Sequence, residues 1–190
     1  MSAKESLLSF LSAYQPSDEK DATDKARMMV YAADLANPLS RTELSAHFTG
    51  SCIIVHPDQE QICLVHHGKL KRWMQLGGHG EVEDHGDISA TALREGKEES
   101  GLEVEHYGGK PCLIDLDIHS IPTRGAEPEH FHLDMRFLLQ ATTTDLVLDP
   151  SESGNIRWVS WEDVFKLVDS GMETIRMIKK AQKVVQSSGP

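Results

Sequence analysis

Apolar and polar positions alternate in two different periods along this chain, and the change of period divides it. Near the start, Leu7, Leu8, Phe10 and Leu11 recur at helical spacing. Ala26, Met29, Val30, Ala33 and Leu35 carry the same period to Asn37-Pro38. Residues 5–46 therefore read as helical, interrupted at Pro16-Ser17-Asp18-Glu19, where Ser17 is the expected cap. From Phe48 the period drops to two. Phe48 to His56 and Gln61 to His67 read as strands of a hairpin around the turn Pro57–Glu60. A helix follows over Ile88–Ser100, with Asp87 as N-cap and Gly101 as its left-handed stop. Leu102–Tyr107 and Cys112–His119 read as strands. In the second, Ile114, Leu116 and Ile118 face one way and Asp115, Asp117 and His119 the other. Ile121–Glu129 is a loop. Along His130–Ala141, His130, His132, Asp134 and Arg136 oppose Phe131, Leu133, Met135 and Phe137. Asp149–Glu152 reads as a turn and Asn155–Ser160 as a short strand. Ser160 caps a helix opened by Trp161-Glu162-Asp163 and running through Leu167. Glu173–Val185 is an amphipathic helix, and Gln186–Pro190 a disordered tail.

This order of elements predicts a mixed α/β (α+β) sandwich, a curved mixed sheet between helical layers. Residues 1–45 form a helical appendage to a domain spanning 46–190. The appendage packs on that domain or on a second copy, so a homodimer is one arrangement the pattern allows. A length of 190 residues suffices for one domain with a proper core. The net charge of −11 and pI near 5.3 argue against a nucleic-acid polymer or an anionic membrane as partner. They leave room for a small phosphorylated substrate that arrives with its metal ions. Cys52, Cys63 and Cys112 lie in apolar runs without a C-x-x-C pair, as expected of buried thiols in a reducing compartment. The apolar run in MSAKESLLSFLSAY is too short for a signal peptide, and no run approaches a membrane span. The expectation is a cytoplasmic protein.

The chemistry concentrates between Leu76 and Leu102. Gly77 and Gly78 open the stretch, and an acidic loop with Glu81, Glu83, Asp84 and Asp87 follows. On the helix, the i,i+3 and i,i+4 spacings of Glu95, Glu98 and Glu99 put all three carboxylates on one side. They repel one another unless neutralised. Arg94, four residues before Glu98, offsets part of this repulsion. A hard divalent cation such as Mg²⁺ offsets more, because it takes oxygen ligands and pairs carboxylates with substrate phosphates.

Arg94-Glu95-x-x-Glu98-Glu99-x-Gly101-Leu102 resembles the second half of the box that marks Nudix hydrolases (MutT-like proteins). Every position agrees except the apolar slot, which is Gly96. Glycine there costs a helix interior on the order of 1 kcal/mol against Ala. In the first half, Gly80 falls at the box glycine but Gly86 falls where a Glu is expected, with Asp84 and Asp87 as candidate substitutes. Aligning Leu76-Gly77-Gly78-His79 with the loop's usual opening makes the loop two residues longer than the pattern. That opening and the later His-x-His-x-Asp-x-Arg-Phe are similar to a bacterial subgroup of the superfamily. The resemblance implies a Nudix-like sandwich and hydrolysis of a nucleoside diphosphate linked to another moiety, X, with Mg²⁺ or Mn²⁺. It implies Glu95, Glu98 and Glu99 as metal ligands, joined by a backbone carbonyl near Gly78. Glu98 or Glu99 would orient or deprotonate water, and Arg94 would hold the carboxylates. An acidic residue before the Arg157-Trp158-Val159 strand, Glu152, is a candidate extra carboxylate.

Two further stretches bear on substrate. Lys69, Lys71 and Arg72 precede Trp73, so Arg72 and Trp73 read either as contacts to phosphate and base or as a solvated loop over a packed Trp. The face showing His130, His132, Asp134 and Arg136 reads in three ways. It is a second metal site, a substrate wall with Arg136 on phosphate, or a solvated face paired with Asp115, Asp117 and His119. The rival overall function is a non-hydrolytic nucleotide or metal sensor on the same fold, for which Gly86 is the main support. A Nudix-like isomerase acting on a prenyl diphosphate would need a reactive cysteine and a metal-binding histidine cluster, and no cysteine sits in a polar context.

Overall fold

The computed structural model describes residues 2–125, 127–147, 153–168 and 172–188. In chain order they form α1 (Ala3–Ala13), α2 (Glu19–Asp34), β1 (Ala46–Val55), β2 (Gln61–His67), β3 (Trp73–Met74), β4 (Leu76–His79), α3 (Ile88–Ser100), β5 (Val104–His106), β6 (Leu113–Ile121), β7 (His130–Ala141), β8 (Ser153–Ser160), α4 (Val164–Leu167) and α5 (Met172–Ser187). Among these residues no helix is long and apolar enough to cross a membrane.

The predicted class stands, and several boundaries move for local reasons. Asp18, not Ser17, caps α2, accepting from the Asp21 N–H, while Ser17 bonds the Asp21 carboxylate. Helix does not continue to residue 46. It stops at Leu35, ahead of Asn37-Pro38, where the proline disfavours helical geometry in the preceding residue. Ser160 accepts from the Asp163 N–H at 3.1 Å in a turn, and the helix begins only at Val164. Gln186 and Ser187 belong to α5 and not to a tail. The predicted turn at 149–152, with Glu152, lies outside the described residues.

All eight strands join one sheet. Its centre is the parallel pair β1 and β7, in register from Ala46↔Phe131 to Val55↔Gln140. β6 and β5 pair antiparallel with the far edge of β7. β2 meets β1 only at Ile54 and Val55, then diverges. β3 and β4 fill the resulting gap, β3 on β2 and β4 on β1. β8 closes the other edge of β2.

Alternation divides the core. On one face Phe48, Cys52, Ile54, Leu133, Met135, Phe137 and Leu139 pack with α3 and the N-terminal helices. Leu7 and Leu11 of α1, its C-cap Tyr14, and Met28 and Ala32 of α2 are buried in this same cluster. On the other face Ile53, Val55 and Leu138 meet Val164 and the α5 residues Met177, Ile178, Ala181 and Val185. The second face changes character along β1 and β7. It is apolar under α5, ionic at Ser51, Asp134 and Arg136, and imidazole-lined at His47, His130 and His132.

Candidate active site and the histidine cluster

α3 lies close on β1 because two positions have no side chain. A Cβ on Gly50 would stand 2.8 Å from the Ile88 carbonyl, and one on Gly96 would stand 3.1 Å from both Cys52 Sγ and Leu139 Cδ1. Gly96, the departure from the box pattern, thus lets the helix seat on the sheet. Asp87 caps α3 by accepting from Ser89 N–H at 2.9 Å, and Gly101 ends it at φ 69°.

Arg94 is the hub of the candidate site. Its Nε and Nη2 each donate to Asp84 at 3.1 Å, its Nη1 to Glu95 at 3.0 Å and Glu98 at 2.7 Å, and its Nη2 also to the His79 carbonyl at 2.8 Å. Asp84 is buried and also accepts from Thr91 Oγ1 and Glu81 N–H, both at 2.9 Å. Burial by itself raises the Asp84 carboxyl, but Arg94 and these donors bring it below the usual carboxylate range. Of the two residues open to replace the missing Glu, Asp84 anchors Arg94 while Asp87 caps the helix. Gly86 itself sits at φ +79° against Ala3 of α1, at 3.3 Å from a built Cβ, which disfavours any side chain.

Two of the carboxylates meet β4. Glu99 accepts from Gly77 N–H at 2.8 Å. A Cβ on Gly78 would fall 2.4 Å from Glu95 Oε1, so any side chain there would push the Glu95 carboxylate aside. Glu95 is mostly covered, whereas Glu98 has 58% of its side chain exposed. This all-oxygen donor set beside a glycine backbone suits Mg²⁺ or Mn²⁺. Arg94, Glu95, Glu98, Glu99 and Gly78 are therefore brought together. Beside the loop runs a groove of about 860 Å³ lined by Pro38, Leu39, Arg41, Gly80, Glu81 and Gly86 among others. The sequence offered no residue of the N-terminal segment for substrate. The connection after α2 supplies this wall only in three dimensions.

Arg72 and Trp73 lie elsewhere. Arg72 is exposed, and Trp73 packs into the second core cluster, opposite α3. The Arg157 guanidinium covers its ring at 4.5 Å and His66 meets it edge-on at 5.3 Å.

The His-Asp-Arg face is not solvated: His130, Asp134 and Arg136 are buried and His132 is half-buried. Arg136 is 3% exposed and donates to Asp134 at 2.7 Å, Asp115 at 3.0 Å and Asp117 at 3.1 Å. Asp134 in turn accepts from Thr49 at 3.0 Å and Ser51 at 2.7 Å. An enclosed guanidinium committed to three carboxylates does not meet a phosphate arriving from solvent, which revises the reading of Arg136 and Asp134 as a substrate wall. The ionic network continues through Arg176 and Lys180 of α5 to Asp115 and Asp21, and through Lys20 to Asp117 and Asp24.

Beyond Asp134, His130 and His132 meet two histidines from other strands. His47, paired with His132 across β1 and β7, stacks on His130 at 4.9 Å between centroids. His79 Nε2 lies 3.3 Å from His132 Nε2. Burial, with the Arg41 charge and then the neighbouring rings adding, pushes His79 down to about 4, and burial with the neighbouring rings pushes His132 to about 2, so both are neutral at pH 7. His47 had no place in the sequence reading because its strand was started at Phe48. The polar alternation of His47, Thr49 and Ser51 was the available signal.

Comparison with known proteins agrees with this geometry. The family model described as NUDIX domain matches residues 46–179. No curated protein matches significantly. Among solved structures, a NUDIX-family hydrolase from Clostridium perfringens is 25% identical, with TM-score 0.51 over 75% of this chain and 98% of that one. The NUDIX domain of Shewanella oneidensis NrtR, complexed with ADP ribose, is 15% identical at TM-score 0.52, covering 82% of this chain and 97% of that one. A Caenorhabditis elegans (C. elegans) Ap4A hydrolase in a binary complex is 19% identical at TM-score 0.50, covering 74% and 98%.

Proposed function

The chain belongs to the NUDIX family, and from that premise we propose that it is a metal-dependent pyrophosphohydrolase acting on a nucleoside diphosphate linked to a further moiety, X. The observation that carries this reading is the set of Glu95 and Glu98, held by Arg94, and Glu99, held by Gly77 N–H, beside the Gly77-Gly78 backbone. Those three carboxylates, with a carbonyl near Gly78, would hold Mg²⁺ or Mn²⁺, which when bound neutralises phosphate charge and lowers the pKa of water.

Arg94 acts as a positioning residue, fixing two of the carboxylates and the His79 carbonyl at once. Glu98, on the solvent side, accepts the proton of the attacking water. The water oxygen bonds to one phosphorus, the bridging P–O bond breaks, and the bridging oxygen leaves with the other phosphate. The groove along Leu39, Arg41 and Gly80 would receive part of the nucleotide or X. ADP ribose in the Shewanella domain and the Ap4A activity of the C. elegans enzyme support this ligand class. Against the sensor reading, which rests on Gly86, stands the Asp84 carboxylate that anchors Arg94.

The test is phosphate release from ADP-ribose, NADH, dinucleoside polyphosphates, oxidised dNTPs and nucleotide sugars, with Mg²⁺ or Mn²⁺ and with EDTA. One class should be cleaved and EDTA should abolish the cleavage. Glu98→Gln should lower kcat by about 10²-fold or more, in the range of losing one key electrostatic group. Because Glu98 is exposed, stability should change by less than about 0.5 kcal/mol. Near-wild-type turnover by the variant would remove Glu98 from the reaction.

A further inference from the structure

The histidine cluster is built in a way that neither hydrolysis nor packing explains. His47 is 1% exposed and His130 is 4% exposed, yet the Nε2 atom of each is buried without a hydrogen-bond partner. A buried polar atom left unpaired is costly, so two side by side call for a ligand. The opposite ring nitrogen is satisfied in both. His130 Nδ1 lies 2.9 Å from the Pro128 carbonyl and His47 Nδ1 3.4 Å from the Glu43 carbonyl. Carbonyls are acceptors only, so each Nδ1 carries a proton, and in the neutral ring that leaves Nε2 with its lone pair free for a ligand. This is the outer arrangement that prepares histidines for a metal ion.

One nitrogen each from His47, His130 and His132 lie within 4.8 Å of one another. His79 adds a fourth ring outside this trio, its Nε2 hydrogen-bonded to His132 Nε2 at 3.3 Å, a contact that a shared ion would replace. Two nitrogens on one tetrahedral zinc ion, at Zn–N of about 2.0–2.1 Å, stand about 3.3–3.4 Å apart. Glu127, at the exposed rim, places a carboxylate oxygen 3.8 Å from His130 Nε2 and adds compensating charge. The donors are imidazoles, which suit zinc-like transition metals rather than Mg²⁺.

We propose that His47, His130 and His132, with His79 beside them, form a site for one divalent transition-metal ion of the zinc class, separate from the carboxylates of α3. The ion would tie β1 to β7 and, through His79, to β4. Strand β4 carries Gly77 and Gly78 beneath Glu95 and Glu99, and its His79 carbonyl accepts from Arg94. A clamp at His79 would therefore brace the backbone on which the α3 carboxylates rest.

The test begins with the wild-type full chain stripped by chelator. Co²⁺ titration should develop the visible bands of tetrahedral coordination, and dialysis against Zn²⁺ should leave one ion per chain by elemental analysis. Absence of those bands, or clearly substoichiometric zinc, overturns the proposal without any variant. His47→Asn and His130→Asn retain an amide N–H for the Glu43 and Pro128 carbonyls but remove Nε2. Each should weaken zinc binding by at least about 100-fold, with circular dichroism confirming the fold. Glu98→Gln should bind zinc as the wild type does. Zinc lost in Glu98→Gln and kept in the histidine variants would place the ion on the carboxylates and overturn the site.

Discussion

Glycine decides where the carboxylates of this protein can stand. At Gly78 the missing Cβ makes room for Glu95, and at Gly96 it lets α3 lie on Cys52 and Leu139. Gly78→Ala should displace Glu95 or β4 and lower kcat by about 10–100-fold, since a misplacement of about 1 Å at a reacting centre costs that order. Steady-state kinetics on the preferred substrate would read it. The Gly96 site reverses a local argument. By helix propensity glycine is a defect there, worth about 1 kcal/mol, but tertiary contact has taken the space. Installing the apolar residue of the family pattern, Gly96→Leu, should therefore destabilise by about 1–3 kcal/mol through overpacking. A urea midpoint at or above wild type would show that α3 can lift without cost.

The N-terminal helices are where pattern and packing part company. Their apolar spacing was plain, but spacing does not say what a helix packs against. Leu7 and Leu11 prove to be fully buried in the core under β1 and β7, together with Phe48 and Met135. α1 also abuts Gly86, and the connection after α2 lines the groove beside the loop. Leu11→Ala should accordingly cost about 2–5 kcal/mol, as for any buried leucine, measured by chemical denaturation. A loss under about 0.5 kcal/mol would mean that the helices are a detachable appendage. The parallel pairing of β1 and β7 was equally hidden. It joins residues about 85 apart in sequence, from Ala46↔Phe131 onward, and no local signal encodes such a register.

Across the whole molecule, a buried ionic network links α2, α5, β6 and β7. Arg136→Met would leave Asp115, Asp117 and Asp134 short of their shared partner, at about 3–5 kcal/mol for one broken buried pair. The network also sets the response to acid. Burial raises the carboxyls of Asp21, Asp84 and Asp117, but Lys180 and Ser17, Arg94, and His119 with Arg136 and Lys20, respectively, hold all three below their ordinary value. A lowered carboxylate stabilises the fold above its unfolded pKa, near 4, and that contribution is lost as pH falls through the lower folded value. Asp115, raised by burial, has the opposite sign but is alone among these four. The half-buried imidazoles of His79 and His132, held low chiefly by desolvation, also favour unfolding as pH drops below about 6.5. Stability should thus decline from pH 7 towards 3, most steeply below about 4, in a urea-midpoint series. Increasing stability over that interval would mean that Asp115 dominates.

Sequence by itself determined the class of fold, the α3 helix with its caps and the acidic triad beside Arg94. Each of these depends on residues within a few positions of one another, where spacing and backbone geometry leave few alternatives. It also grouped His130, His132, Asp134 and Arg136 on one side of a strand. Whether that side met solvent, substrate or other side chains was not contained in its period. Only the tertiary structure decided that α5 and α2 bring Arg176, Lys180 and Lys20 to this face, so that its far part became a sealed ionic layer. Only the tertiary structure brought His47 and His79 to His132, and gave Asp84 to Arg94 in place of a carboxylate at Gly86. The physical reason is the same in each case. Periodicity fixes the direction of a side chain relative to its own element, while burial and pairing depend on which distant element covers it.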